Sequence, residues 1–170
     1  MNYKYFLFLF GIALLTACGN EYVVDDYFDL EELPGYVAFD APGNSAVLDD
    51  IMVSESDGST TVTIECPTGT LSDITVNYEF GGDAVFGTDF NVAGASASGG
   101  TITVGQKEWD VVNRSNADLE IELLTDGVQD GAKTLTITLI SASNAEGPMA
   151  VGRGGTDYLK TATIVIEDID

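Results

Sequence analysis

Histidine is absent from the 170 residues, and cations are scarce: 6 Lys and Arg stand against 28 Asp and Glu, for a formal net charge of −22. Without imidazole, Ser-His and Cys-His nucleophile systems are excluded, as is every zinc site that uses histidine. So acidic a chain repels phosphate backbones, which argues against any nucleic-acid partner. It attracts cations, or its charge simply keeps a surface solvated. Cysteine is limited to Cys18 and Cys66, and tryptophan to Trp109. A long apolar run is also missing: Tyr5 to Leu15 is too short to span a bilayer as a stable helix, and nothing later approaches it. No segment carries a convincing helical period. The apolar content, 45%, is that of a packed domain, and the length allows one domain with a tail.

Residues 1–17 read as a targeting segment, with Lys4 as the sole charge ahead of the apolar run. Leu15-Thr16-Ala17-Cys18, followed by Gly19, resembles the lipobox of bacterial lipoproteins, in which a small residue precedes a cysteine that becomes acylated after cleavage. Three acyl chains on Cys18 exceed the two signals that stable anchoring requires. With Cys18 lipidated, Cys66 has no intrachain disulfide partner. It shares a strand face with Val62 and Ile64 and reads as a small buried hydrophobe rather than a nucleophile. Residues 18–33 form an acidic tether with scattered aromatics. About 15 residues reach roughly 50 Å when stretched and nearer 20 Å as a coil. Asp25 and Asp26 resemble the acidic surface-export signals of some Gram-negative lipoproteins. The expected address is therefore the outer membrane, lipid-anchored and surface-exposed.

From residue 34 onward, short strands follow one another. Expected strands are Tyr36 to Asp40, Val47 to Val53, Thr60 to Cys66, Ile74 to Phe80, Gly99 to Val104, Leu119 to Leu123, Thr134 to Leu139 and Thr161 to Asp168. Leu119, Ile121 and Leu123 alternate with Glu120 and Glu122, and Leu135, Ile137 and Leu139 alternate with threonines. Such a period of two is the half-buried strand signal. Pro42-Gly43-Asn44, Asp57-Gly58 and Gly81-Gly82 mark turns. Asp83 to Phe90 reads as a compact loop, Gln106 to Asp118 as a polar insert, and Ser141 to Tyr158 as a long glycine-rich loop. Seven to eight such strands make an all-β, immunoglobulin-like antiparallel β-sandwich over residues 34–170.

Between the two strands of residues 119–139 lies an acidic turn, with Asp126 and Asp130 flanking Gly127. At this point the chain resembles the Calx-beta family, the module of the regulatory region of sodium–calcium exchangers. The matching pieces are Val53-Ser54-Glu55 with Asp57-Gly58; Gly87-Thr88-Asp89-Phe90; Gly100-Thr101-Ile102; Leu124-Thr125-Asp126 through Leu139; and Ala162 to Asp168. The resemblance implies calcium at one tip of the sandwich. By position it assigns ligand roles to Glu55, Asp89, Asp126, Asp130, Asp168 and Asp170, with Val128 offering a backbone carbonyl. Calcium takes roughly six to eight oxygens, so several strand ends must contribute. Lys133, Gly127 and Ile169 depart from the pattern, standing where the family often carries further acids. A lysine there could replace a cation.

Paired carboxylates also serve glycoside hydrolysis, at roughly 5–10 Å separation. Yet no sugar cleft is suggested around Glu55, Asp126 and Asp168, so the expectation is a protein without catalytic activity. A binding or structural role is expected instead: calcium-dependent adhesion or interaction, or alternatively a metal-independent glycan- or protein-binding accessory of an outer-membrane nutrient-uptake system. For the latter, Trp109 is the candidate contact, by stacking on a sugar ring or anchoring a partner. The expected partners are the membrane, through Cys18, and a surface protein or glycan.

Overall fold

The computed structural model describes residues 35–106, 115–125 and 127–169, within one compact unit, Leu33–Asp170. Cys18, the tether, Trp109, Asp126 and Asp170 lie outside the described residues. The described chain forms ten strands: β1 (Tyr36–Phe39), β2 (Ile51–Ser54), β3 (Ser59–Cys66), β4 (Ile74–Gly82), β5 (Phe90–Asn91), β6 (Gly100–Val104), β7 (Ser115–Leu123), β8 (Lys133–Asn144), β9 (Gly147–Val151) and β10 (Thr161–Glu167).

One sheet runs β2-β10-β8-β4-β6, and the other runs β1-β3-β7-β5. Strand β9 joins them, pairing antiparallel with β8 and parallel with β1. The alternation seen in the sequence decides which faces meet. In β7, Leu119, Ile121 and Leu123 are buried while Glu120 and Glu122 are exposed. In β10, Ala162, Ile164 and Ile166 point inward. These residues join Phe39, Ile64, Ile74, Val76, Leu135, Ile137 and Leu139 in one core. Burying each large side chain contributes about 1.5–3 kcal/mol. Cys66 is fully buried, and its thiol lies 3.1 Å from the Gly69 carbonyl, as a packed side chain rather than an exposed nucleophile.

The sandwich is as expected, but its details differ in four places. The first part of the long loop expected over residues 141–158 is strand: β8 continues to Asn144 and turns back into β9. A β-bulge hides this. The β4–β8 register shifts between Asn77 and Tyr78, with Tyr78 opposite Leu139 and Asn77 opposite Ser141. The extra residue, Ile140, is turned to solvent, so the buried positions skip from Leu139 to Ala142. At the polar insert, Ser115 to Asp118 already belong to β7, paired with β3. The strand expected from Val47 begins only at Ile51. Finally, two ladders are parallel, β10–β2 and β1–β9, within an otherwise antiparallel fold.

Candidate functional site: the acidic pole

Strand pairing alone gathers the acidic turns. Glu167 of β10 pairs with Ser54 of β2, and Ile166 pairs with both Val53 of β2 and Lys133 of β8. Gly82, at the end of β4, pairs with Leu135 of β8. In the second sheet Phe90 pairs with Leu123, and Ser59 with Glu122. The ends of β2, β4, β7 and β10 and the starts of β3, β5 and β8 therefore lie at one pole. They bring Glu55, Asp57, Asp83, Asp89, Asp130 and Asp168 there. A backbone bond from Leu124 N–H to the Asp89 carbonyl, 2.9 Å, carries the β5–β7 pairing on into the loops of the pole.

Most of these carboxylates hold a backbone amide. Asp168 Oδ2 accepts from the N–H groups of Asp130 and Gly131, each at 2.6 Å, and so closes the hairpin turn onto the end of β10. Asp89 is buried, and its Oδ2 accepts from Val85 N–H at 2.5 Å, winding the 85–89 loop on itself. Asp83 Oδ1 accepts from Thr134 N–H at 2.5 Å. In return the N–H groups of Asp83 and Ala84 donate to the Thr134 carbonyl at 2.9 and 3.0 Å. Gly82 permits this approach: its φ is +95°, and a Cβ there would stand 2.0 Å from the Thr134 carbonyl oxygen. Asp57 Oδ2 accepts from Ser54 N–H at 2.8 Å across a short 3-10 turn, Glu55–Asp57, in which Glu55 is buried. Short acidic side chains accepting local amides are the usual means of fixing turns.

Asp130 holds a cation instead. Its Oδ2 pairs with Lys133 Nζ at 2.9 Å. The Lys133 pKa is raised above its ordinary value, first by this hydrogen bond and then by the charges of Asp130, Asp89 and Asp83, with partial desolvation opposing them. Beneath the loops sits an aromatic cluster: Phe90 packs edge-on against Phe80 and Phe86, at 5.1 and 5.6 Å between ring centres. Above them, Val85, Val128 and Ile169 expose 54%, 56% and 53% of their surface.

Of the seven residues that the resemblance names as calcium ligands, Glu55, Asp89, Asp130 and Asp168 are brought to this pole, and Val128 lies in its hairpin turn. Asp126 and Asp170 fall outside the described residues. Among the described residues no group of three or more acidic, histidine or cysteine side chains could hold a metal ion. Asp89 and Asp168 each turn an oxygen toward backbone amides and Asp130 turns one toward Lys133, so the described residues assemble no shell of the roughly six to eight oxygens that calcium takes. Asp83 was not foreseen as a member of the pole. Its signal was local: an aspartate directly after the Gly81-Gly82 strand end, where amides need an acceptor.

No protein-family model matches the chain, and no curated protein matches it. Solved structures do. The chain is similar to the apo-form Calx CBD1 domain, with 21% identity and a TM-score of 0.56 over 81% of this chain and 99% of that one. It is similar to the Calx CBD2 domain, with 13% identity and a TM-score of 0.52 over 78% and 86%. A third similar structure is the calcium binding domain CBD12 of CALX1.1, with 23% identity and a TM-score of 0.51; there the match covers 71% of this chain and 42% of that one. At these identities the likeness establishes the architecture alone: the described residues fold as a Calx-beta-like β-sandwich.

Proposed function

We propose that the protein is a non-catalytic, lipid-anchored surface module that works by binding or structural support. In this reading Cys18 carries the lipid, residues 18–33 tether the sandwich to the outer membrane, and the acidic pole meets a partner. The observation that carries it is the pole itself: loops from several strand ends are fixed by side-chain-to-backbone bonds, with Val85, Val128 and Ile169 exposed among carboxylates. A rigid scaffold presenting braced loops is the usual construction of a binding face. Acidic groups around aliphatic contacts suit a protein partner bearing basic residues beside apolar ones. Adhesion, or an accessory role beside a nutrient-uptake complex, are the two settings this chemistry serves.

Calcium is the second reading, favoured by the convergence of Glu55, Asp89, Asp130 and Asp168 on one pole and by the likeness to a calcium binding domain. The engagement of Asp89 and Asp168 with amides and of Asp130 with Lys133 weighs against it. The anchoring reading is tested by detergent phase partition of the full chain expressed in a Gram-negative host. Wild type is expected in the detergent phase and Cys18→Ala in the aqueous phase, with wild type on intact cells removed by external protease. Wild type in the aqueous phase overturns the lipid anchor, and protection from protease overturns surface exposure.

A further inference from the structure

We propose that Lys133 is the resident cation of the acidic pole: its ammonium, bonded to Asp130 and next in the chain to the Thr134 that Asp83 holds, supplies part of the neutralisation that a divalent metal would otherwise supply. The pole is therefore ordered without metal. Three observations converge on this. Lys133 begins β8 and pairs with Ile166, so its backbone is fixed between the turn that carries Asp130 and the end of β10 that carries Asp168. Its next neighbour, Thr134, is gripped by Asp83 through both its N–H and its carbonyl, which holds the 83–89 loop beside the lysine. Its Nζ lies 2.9 Å from Asp130 Oδ2, and the side chain is only 23% exposed.

The placement of the other described cations sharpens the point. Lys160 precedes β10, at the end of that strand away from Asp168, and pairs with Asp157 at 3.7 Å. Arg153 donates to the Ser45 carbonyl and lies near Glu65 and Pro67, at the end of β3 remote from Asp57. Among the described residues, Lys133 is thus the cation that serves this pole. An ammonium has three donors and no fixed coordination number, so it tolerates carboxylates already engaged with amides. Calcium demands a full oxygen shell. The inference is independent of the lipid anchor.

Thermal unfolding of the full chain tests it, in chelator, in millimolar Mg2+ and in the same concentration of Ca2+. Wild type is expected to unfold at the same temperature in Ca2+ as in Mg2+. Lys133→Arg, which keeps the charge, should match wild type, whereas Lys133→Gln should unfold several degrees lower in chelator. A wild-type rise of about 3 °C or more in Ca2+ over Mg2+ overturns the proposal, as does a Lys133→Gln protein as stable as wild type in chelator. Should Lys133→Gln fail to fold, the wild-type amide resonances of Asp130, Gly131 and Thr134 decide. They are expected to stay in place when Ca2+ replaces chelator, and their displacement overturns the inference.

Discussion

Asp168 offers the sharpest test of how the pole is held. One of its carboxylate oxygens accepts two backbone N–H groups, from Asp130 and Gly131, at 2.6 Å each. Hydrogen bonds to a charged acceptor contribute about 1.5–3 kcal/mol each when sheltered. These are at the surface, where water can replace the acceptor, so the pair together contributes about 1–3 kcal/mol. Asp168→Ala should lower stability by that amount, which for a domain of this size corresponds to a fall of about 3–10 °C in Tm. Asp168→Asn keeps an oxygen that can accept both amides but removes the charge, so it should lose about half as much. Urea unfolding, followed by far-UV circular dichroism, reports the free-energy change. Hydrogen exchange locates it, with Asp130 and Gly131 losing protection in the Ala variant. The same losses should appear in chelator and in Ca2+, because the carboxylate acts on amides. An Ala variant within about 0.5 kcal/mol of wild type, the range of an indifferent surface substitution, or a loss seen only with Ca2+, would refute the reasoning.

Two further outcomes follow from the groups beneath the pole. Phe90 is fully buried and edge-on to Phe80 and Phe86, so Phe90→Ala should cost about 3–5 kcal/mol in urea unfolding, and Phe90→Leu markedly less; equal losses would show that the ring is not the support. Tyr78 is buried in β4, and burial raises its pKa above 10.0 by disfavouring the phenolate. A raised folded-state pKa means that this contribution is fully present below pH 10 and is lost as pH rises through the folded value. Wild type should therefore lose more stability between pH 8 and pH 11 than Tyr78→Phe does, and parallel pH profiles by urea unfolding would contradict this.

How much of this is legible in the sequence depends on whether a feature is written in local alternation. Strands β7 and β10 are, because Leu119, Ile121 and Leu123, and Ala162, Ile164 and Ile166, each keep an unbroken period of two. The convergence of Glu55, Asp89, Asp130 and Asp168 followed from the family resemblance and from the number of strands between them. What escaped was non-local. The bulge at Ile140 breaks the phase of β8, and Pro148, which lacks an amide, makes β9 look like a loop. Proline is tolerated there because β1 covers only Ala150 and Val151 of that strand. A parallel partner such as β2 leaves no trace in its own alternation, and its four residues are too few to show one. Asp126, Asp170 and Trp109 lie outside the described residues, so their expected roles stand as before.

The role of the carboxylates was the least legible part, since an aspartate that caps an amide and one that binds a metal look alike in a sequence. The difference lies in what reaches each oxygen first. Here β-strand ends arrive in pairs, and each turn exposes amides that need acceptors. Asp57, Asp83, Asp89 and Asp168 meet that need within their own or an adjoining turn. Capping of this kind satisfies the amides but leaves the negative charge of each carboxylate in place. One ammonium, on Lys133, offsets only part of it. The pole thus stays acidic after it is braced, and its remaining charge is available to a partner rather than consumed by the fold. Salt should therefore weaken any complex formed there while leaving the sandwich itself intact, because exposed charges are screened over about 8–10 Å whereas the core of Ile137, Leu139 and Ile164 is indifferent to ions.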